Sequence, residues 1–157
     1  MGLVRLSSTL TNRAQVYADP MASPITVTGY ADEIILPGSG HSGGNYCSSG
    51  VSTLAKCNLY AYRQVQVTAS NAPYPMETFY AIEMTVPGGG TAFCSGDSGG
   101  PVYFYPQGLS TPRVTAAGII SGILPFSGGS SCGGTGYISV VAVAVNEVPG
   151  LQIRYVP

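Results

Sequence analysis

The sequence predicts an all-β fold, and three observations carry that prediction. Glycine, proline and tyrosine number 22, 12 and 11 among 157 residues, whereas charged residues make up only 8%. Such a balance suits short strands joined by tight turns and suits few amphipathic helices. Segments rich in β-branched and aromatic residues recur along the chain, separated by Gly, Ser and Pro clusters. The length gives room for one ordinary domain.

Taken in order, residues 3–6 (LVRL) and 12–17 are brief apolar stretches ahead of the breaks at Pro20 and Pro24. Ile25, Thr26, Val27 and Thr28 are all β-branched and close on Gly29, which reads as a strand. Residues 60–67 (YAYRQVQV) read as another, with Val65 and Val67 on one face. Residues 79–86 (FYAIEMTV) put Tyr80, Ile82, Met84 and Val86 on one side and Glu83 on the other, the pattern of a half-buried strand. Residues 102–105, 113–121 (RVTAAGIIS) and 137–145 (YISVVAVAV) come next as strands. The run 140–148 reads equally well as a terminal helix, because Pro149-Gly150 is a reasonable helix stop. Six to eight short strands indicate a barrel or a sandwich.

Charge narrows the partners. The formal net charge is −1, with six Lys and Arg spread along the chain, so no clustered positive face is available to phosphate backbones or anionic lipids. Nucleic acid and membrane partners are not expected. No stretch approaches the ~20 apolar residues of a membrane span, and residues 1–10 contain no signal-peptide run. Cys47, Cys57, Cys94 and Cys132 form an even set with no histidine at metal-ligand spacing, which favours disulfides over zinc and implies an oxidising compartment. No metal or cofactor is expected.

The most informative stretch is Cys94-Ser95-Gly96-Asp97-Ser98-Gly99-Gly100-Pro101-Val102. A serine that attacks a carbonyl must project from a sharp turn whose backbone N–H groups point at the oxygen that becomes negative, and one such donor contributes about 3 kcal/mol. The N–H groups of Gly96 and Ser98 are the candidate donors, and Ser98 is the candidate nucleophile. Gly96 offers no Cβ to obstruct the substrate, Gly99 and Gly100 let the turn pack closely, and Pro101 stiffens the exit. Asp97 is expected to be buried and to need a cationic partner.

Residues 96–101 resemble the nucleophile motif of the chymotrypsin-like serine endopeptidases, and further details resemble the secreted bacterial branch that includes the streptogrisins and alpha-lytic protease. Residues 25–30 are similar to the strand that opens the second of that family's two barrels. Tyr46-Cys47-Ser48-Ser49-Gly50 with Cys57 resembles the branch's short cysteine loop. Residues 118–122 resemble the strand that binds substrate backbone, and residues 136–140 resemble the far wall of the specificity pocket.

The resemblance implies a chymotrypsin-like antiparallel β-barrel and two pairings, Cys47 with Cys57 and Cys94 with Cys132. It implies substrate-binding positions at Ala92, Ser95, Ser121, Gly122 and Gly136, with Ala92 at the pocket floor. No carboxylate stands there to attract Lys or Arg, and the resemblance implies an uncharged pocket, open at its sides, that favours an apolar side chain such as Leu, Phe, Tyr or Met over a basic one. The bacterial branch often pairs the equivalent of Asp97 with an Arg directly after the equivalent of Cys47, but Ser48 stands in that place, leaving an α-amino group or another basic residue to serve Asp97.

The family also needs a histidine base followed by a cysteine, and an aspartate to orient it. The single histidine, His41, lies in a Gly/Ser loop without a following cysteine, and a solvated loop histidine is its default reading. Asp19 and Asp32 neighbour turn formers and no histidine, and read as solvated turn carboxylates. Residues 1–6 (MGLVRL) are similar to the segment that lies just beyond the family's catalytic aspartate. By that likeness residues 1–22 are the remnant of a first barrel, residues 23–157 are the second barrel, and the base and its aspartate are encoded upstream. The expected function is a secreted serine endopeptidase acting on protein or peptide substrates, inert as these 157 residues alone. The alternative is a non-catalytic homologue serving as a binding or structural module, and a carbohydrate-binding sandwich would leave residues 96–101 without purpose.

Overall fold

A computed structural model describes residues 15–16, 24–32, 34, 36, 44–69, 77–106 and 113–147. The strands are β1 (Gln15–Val16), β2 (Ile25–Tyr30), β3 (Tyr46–Gly50), β4 (Leu54–Ala69), β5 (Glu77–Thr85), β6 (Phe93–Cys94), β7 (Pro101–Phe104), β8 (Arg113–Leu124), β9 (Cys132–Gly133) and β10 (Thr135–Val140). Among the described residues there is one helix, α1 (Val141–Glu147), which continues directly from β10 and resolves the open reading of residues 140–148 as a strand turning into a helix. Residues 3–6 and Pro149-Gly150 lie outside the described residues.

Six strands close on themselves. The order β8-β10-β5-β4-β3-β7 returns to β8 through the β7–β8 pairing, and each neighbouring pair in the ring is antiparallel. Closure removes the free edges that would otherwise template aggregation. The ring begins with β3, not with the ITVTGY segment. That segment, β2, lies outside the ring and runs parallel to the start of β8, from Thr26 opposite Arg113 to Tyr30 opposite Ala116, with β1 paired beyond it. Its β-branched residues suit a strand in either place, so composition identified the strand but not its neighbours.

The barrel interior holds Leu59, Ala61, Ile82, Met84, Val102, Ala117, Ile120 and Ile138, with Phe93 and Ala92 packed into the same cluster. A second cluster of Val27, Cys47, Tyr103 and Val114 lies between β2 and the ring. Burial pushes the Tyr103 hydroxyl pKa up to about 12, with the neighbouring Tyr105 adding to the rise. On β5, Met84 and Ile82 are buried as the alternation predicts, but Tyr80 is 65% exposed because β4 and β5 extend past the barrel wall at that end. Glu83 meets Arg63 across the same strand pair at 2.9 Å.

Candidate active site

The site is built where two disulfide-bonded segments meet. Cys47–Cys57 ties the two strands of the β3–β4 hairpin, and Cys94–Cys132 ties β6 to β9, as the resemblance implied. No free cysteine is present. Between Cys94 and Pro101 the chain makes a compact turn fastened at nearly every amide. Asp97 N–H donates to Cys94 O at 3.1 Å, Gly100 N–H to Asp97 O at 2.9 Å, and Gly99 N–H to Ile120 O at 2.9 Å. Ile120 N–H donates back to Gly100 O at 2.9 Å, so the turn is pinned to β8 from both directions.

Two amides of this turn are unclaimed. Among the described residues neither Gly96 N–H nor Ser98 N–H meets an acceptor, and Ser98 itself is exposed. Gly96 has φ 99° and Gly99 has φ 86°, values that L side chains rarely adopt, so glycine at both positions is what lets the turn form. A Cβ at Gly100 would press on the carbonyl oxygens of Ser49 and Asp97, which explains the second glycine of the pair.

Asp97 is buried, as expected, and among the described residues no cation reaches it. Its Oδ1 accepts from Ser52 N–H at 2.8 Å and Thr53 N–H at 3.0 Å, and its Oδ2 accepts from Cys94 N–H at 2.8 Å. Burial alone would raise the carboxyl pKa. The amides of Cys94, Thr53 and Ser52 outweigh it and hold the group below the usual carboxylate range. Among the described residues its charge is compensated by backbone dipoles, those of Ser52 and Thr53 at the hairpin tip and that of Cys94, while Lys56 and Arg63 are engaged elsewhere, with Thr91 O and Glu83; the α-amino group expected as an alternative partner lies outside the described residues. Ser52 Oγ adds a bond to Ser95 O at 2.6 Å. Gly50 is required here because a Cβ would overlap the Asp97 carboxylate. Sequence reasoning missed Gly50, Ser52 and Thr53, since nothing local to residues 50–53 signals a carboxylate 44 or 45 positions downstream.

Between the hairpin tip (Ser49, Gly50, Val51 and Leu54) and the turn at residues 96–100 lies an open cleft of about 650 Å³, with Ser98 on its wall. On the other side of the turn, β7 pairs with β8 only as far as Ile119, while β10 pairs with the opposite edge of β8 up to Leu124. The edge of residues 121–124 nearest the turn is thus left without a strand partner among the described residues. Ser121 Oγ bonds to Ser139 Oγ at 2.6 Å and accepts Ser139 N–H at 3.1 Å, which fixes the start of that edge.

Around the implied pocket, Ala92 is fully buried, Gly136 is buried, Gly122 is half-buried, and Ser95 and Ser121 are exposed. The ring of Phe93, itself 0% exposed, lies where a Cβ on Gly136 would have to go. His41 and Asp19 fall outside the described residues, and Asp32 sits exposed at the bend after β2.

A family model described as Trypsin matches residues 1–148. The chain belongs to the trypsin family. No curated protein and no solved structure matches it. The all-β closed barrel is the chymotrypsin-like fold of that family. Among the described residues no helix is long and apolar enough to cross a membrane, and no group of three His, Cys, Asp or Glu is placed to hold a metal.

Proposed function

We propose that this trypsin-family chain is a serine-type endopeptidase with Ser98 as its nucleophile and peptide or protein chains as its substrates. One observation carries the reading: the exposed Ser98 shares its turn with two amides, at Gly96 and Ser98, that meet no acceptor among the described residues, whereas the neighbouring amides are consumed in holding the turn. Ser98 Oγ gives its proton to a base and bonds to the scissile carbonyl carbon. The two amides stabilise the resulting oxyanion, each by about 3 kcal/mol. The amine leaves with the proton, and water then releases the acyl group from Ser98. Substrate backbone pairs with the unpartnered edge that begins at Ser121 and Gly122, beside Ser95, and its side chain points toward Ala92 and Gly136.

The general base and its carboxylate come from outside these 157 residues, because the one histidine, His41, lies in a Gly/Ser loop without the family's following cysteine. Residues 1–22 belong with a first barrel and residues 23–157 form the second, a division supported by a ring whose staves all lie between residues 46 and 140. The Cys47–Cys57 hairpin and the Cys94–Cys132 bridge support kinship with the streptogrisin and alpha-lytic branch, and support secretion into an oxidising compartment. Neither nucleic acid nor membrane is a partner in this reading.

The single histidine also favours a second reading, a non-catalytic binding homologue that kept the turn. A fluorophosphonate probe separates the two. On the endopeptidase reading, the 157-residue chain reacts poorly, and the same chain joined to a first barrel carrying His and Asp is labelled at Ser98. Failure of the joined form to label, with the fold intact, favours the binding module; rapid labelling of the chain alone contradicts its inertness.

A further inference from the structure

We infer that the Ser52 hydroxyl, at the tip of the β3–β4 hairpin, is a positioning group that holds the Ser95–Gly96 peptide with its N–H free for an incoming oxygen. The inference rests on the endopeptidase reading and adds to it a residue that acts through the turn. Ser52 Oγ donates to Ser95 O at 2.6 Å. That carbonyl and the Gly96 N–H belong to one planar trans peptide and point in opposite directions, so fixing the carbonyl fixes the amide. Ser52 is itself held, because its own N–H donates to Asp97 Oδ1 at 2.8 Å. One residue thus grips the turn on both sides of Gly96. The contact is close: a Cβ built on Gly96 would meet Ser52 Oγ first, at 2.7 Å.

The same peptide has a second arrangement within reach. The turn already closes two bonds of the i to i+3 kind, Asp97 N–H to Cys94 O and Gly100 N–H to Asp97 O. The bond of that kind lying between them, Ser98 N–H to Ser95 O, is not made among the described residues. Turning the Ser95–Gly96 peptide over would bring Ser95 O to Ser98 N–H and carry Gly96 N–H away, so both free amides would be lost together. Backbone preference does not forbid this. Gly96 has φ 99°, and glycine occupies negative φ as readily as positive. Ser95 and Gly96 are also exposed, so core packing does not oppose the rotation. What separates the two states is the partner of Ser95 O, the Ser52 hydroxyl in one and Ser98 N–H in the other.

NMR of the unchanged chain, Ser52→Ala and Ser52→Thr tests this. Alanine keeps the backbone bond to Asp97 and removes only a hydroxyl from an exposed residue, whereas threonine keeps the hydroxyl. Ser52→Gly is the second variant should alanine fail to fold. A neutral hydrogen bond tips such a balance by about two- to tenfold. In Ser52→Ala the Ser98 amide is expected to gain a scalar coupling to the Ser95 carbonyl carbon and to exchange its hydrogen more slowly. In the unchanged chain and in Ser52→Thr it is expected to show neither. A Ser98 amide unaltered in the folded variant, or already coupled to Ser95 in the unchanged chain, overturns the inference, as does Ser52→Thr behaving like Ser52→Ala. In a form that hydrolyses peptides, Ser52→Ala is expected to lower kcat by about two- to tenfold with KM unchanged, and Ser52→Thr to restore it; an unchanged kcat overturns the inference as well. The NMR signals need no chemistry at Ser98. Hydrolysis absent from every form would therefore sink the endopeptidase reading and leave the Ser98 amide to decide the role of Ser52.

Discussion

Replacing Asp97 should cost this protein stability through amides rather than through a lost ion pair. Asp97→Ala strips the acceptor from Cys94, Ser52 and Thr53 N–H, bonded now at 2.8, 2.8 and 3.0 Å. A buried donor left unpaired costs about 1–3 kcal/mol. The Cys94 amide bears the full cost, whereas the amides of Ser52 and Thr53, at the hairpin tip, can turn toward water. Relief from burying a carboxylate offsets part of the loss, leaving a net of about 3 kcal/mol. Asp97→Asn keeps one acceptor oxygen but aims an NH2 at an amide donor, for about 1–2 kcal/mol. The pH dependence has a definite sign. A carboxyl with a lowered folded-state pKa gives stability that is complete above the unfolded value, about 3.9, and drains as pH falls through the lower folded value. Urea unfolding at pH 7 and at pH 3 measures both effects. The reasoning is refuted if Asp97→Ala unfolds within about 0.5 kcal/mol of the unchanged chain, a surface-like effect, or if Asp97→Asn retains the full acid sensitivity.

The same geometry sets several other outcomes. Removing the Cys94–Cys132 bridge, whose ends are 38 positions apart, should cost about 4 kcal/mol on the loop-entropy account, and removing Cys47–Cys57, whose ends are 10 apart, about 3 kcal/mol, both read by denaturant midpoints under non-reducing conditions. Gly100→Ala should destabilise by more than about 2 kcal/mol, because its Cβ would strike the Ser49 and Asp97 carbonyls and force the turn off β8. Ser98→Ala should leave the midpoint within about 0.5 kcal/mol, since the hydroxyl is exposed. Tyr103 should stay protonated well past pH 10 in an ultraviolet titration. Its folded pKa is raised to about 12, so the stability it gives is intact below the unfolded value and is lost as pH climbs from there.

How much was legible beforehand depended on distance along the chain. The strand of residues 79–86 was readable because alternation is a local signal, and β5 covers Glu77–Thr85. The turn at residues 96–101 was readable because its glycines and serine are contiguous. What held Asp97 was not, since its donors at Ser52 and Thr53 come from a hairpin brought alongside only by closure of the barrel. Residues 25–30 were legible as a strand, yet β-branching cannot say whether a strand closes a ring or lies outside it.

The most direct measurement is the structure of a peptide phosphonate bound covalently to Ser98, determined in a form supplied with a histidine base. The account predicts phosphorus bonded to Ser98 Oγ and one phosphonyl oxygen within about 3 Å of both Gly96 N and Ser98 N. An adduct on another residue, or an oxygen facing away from those two amides, contradicts it.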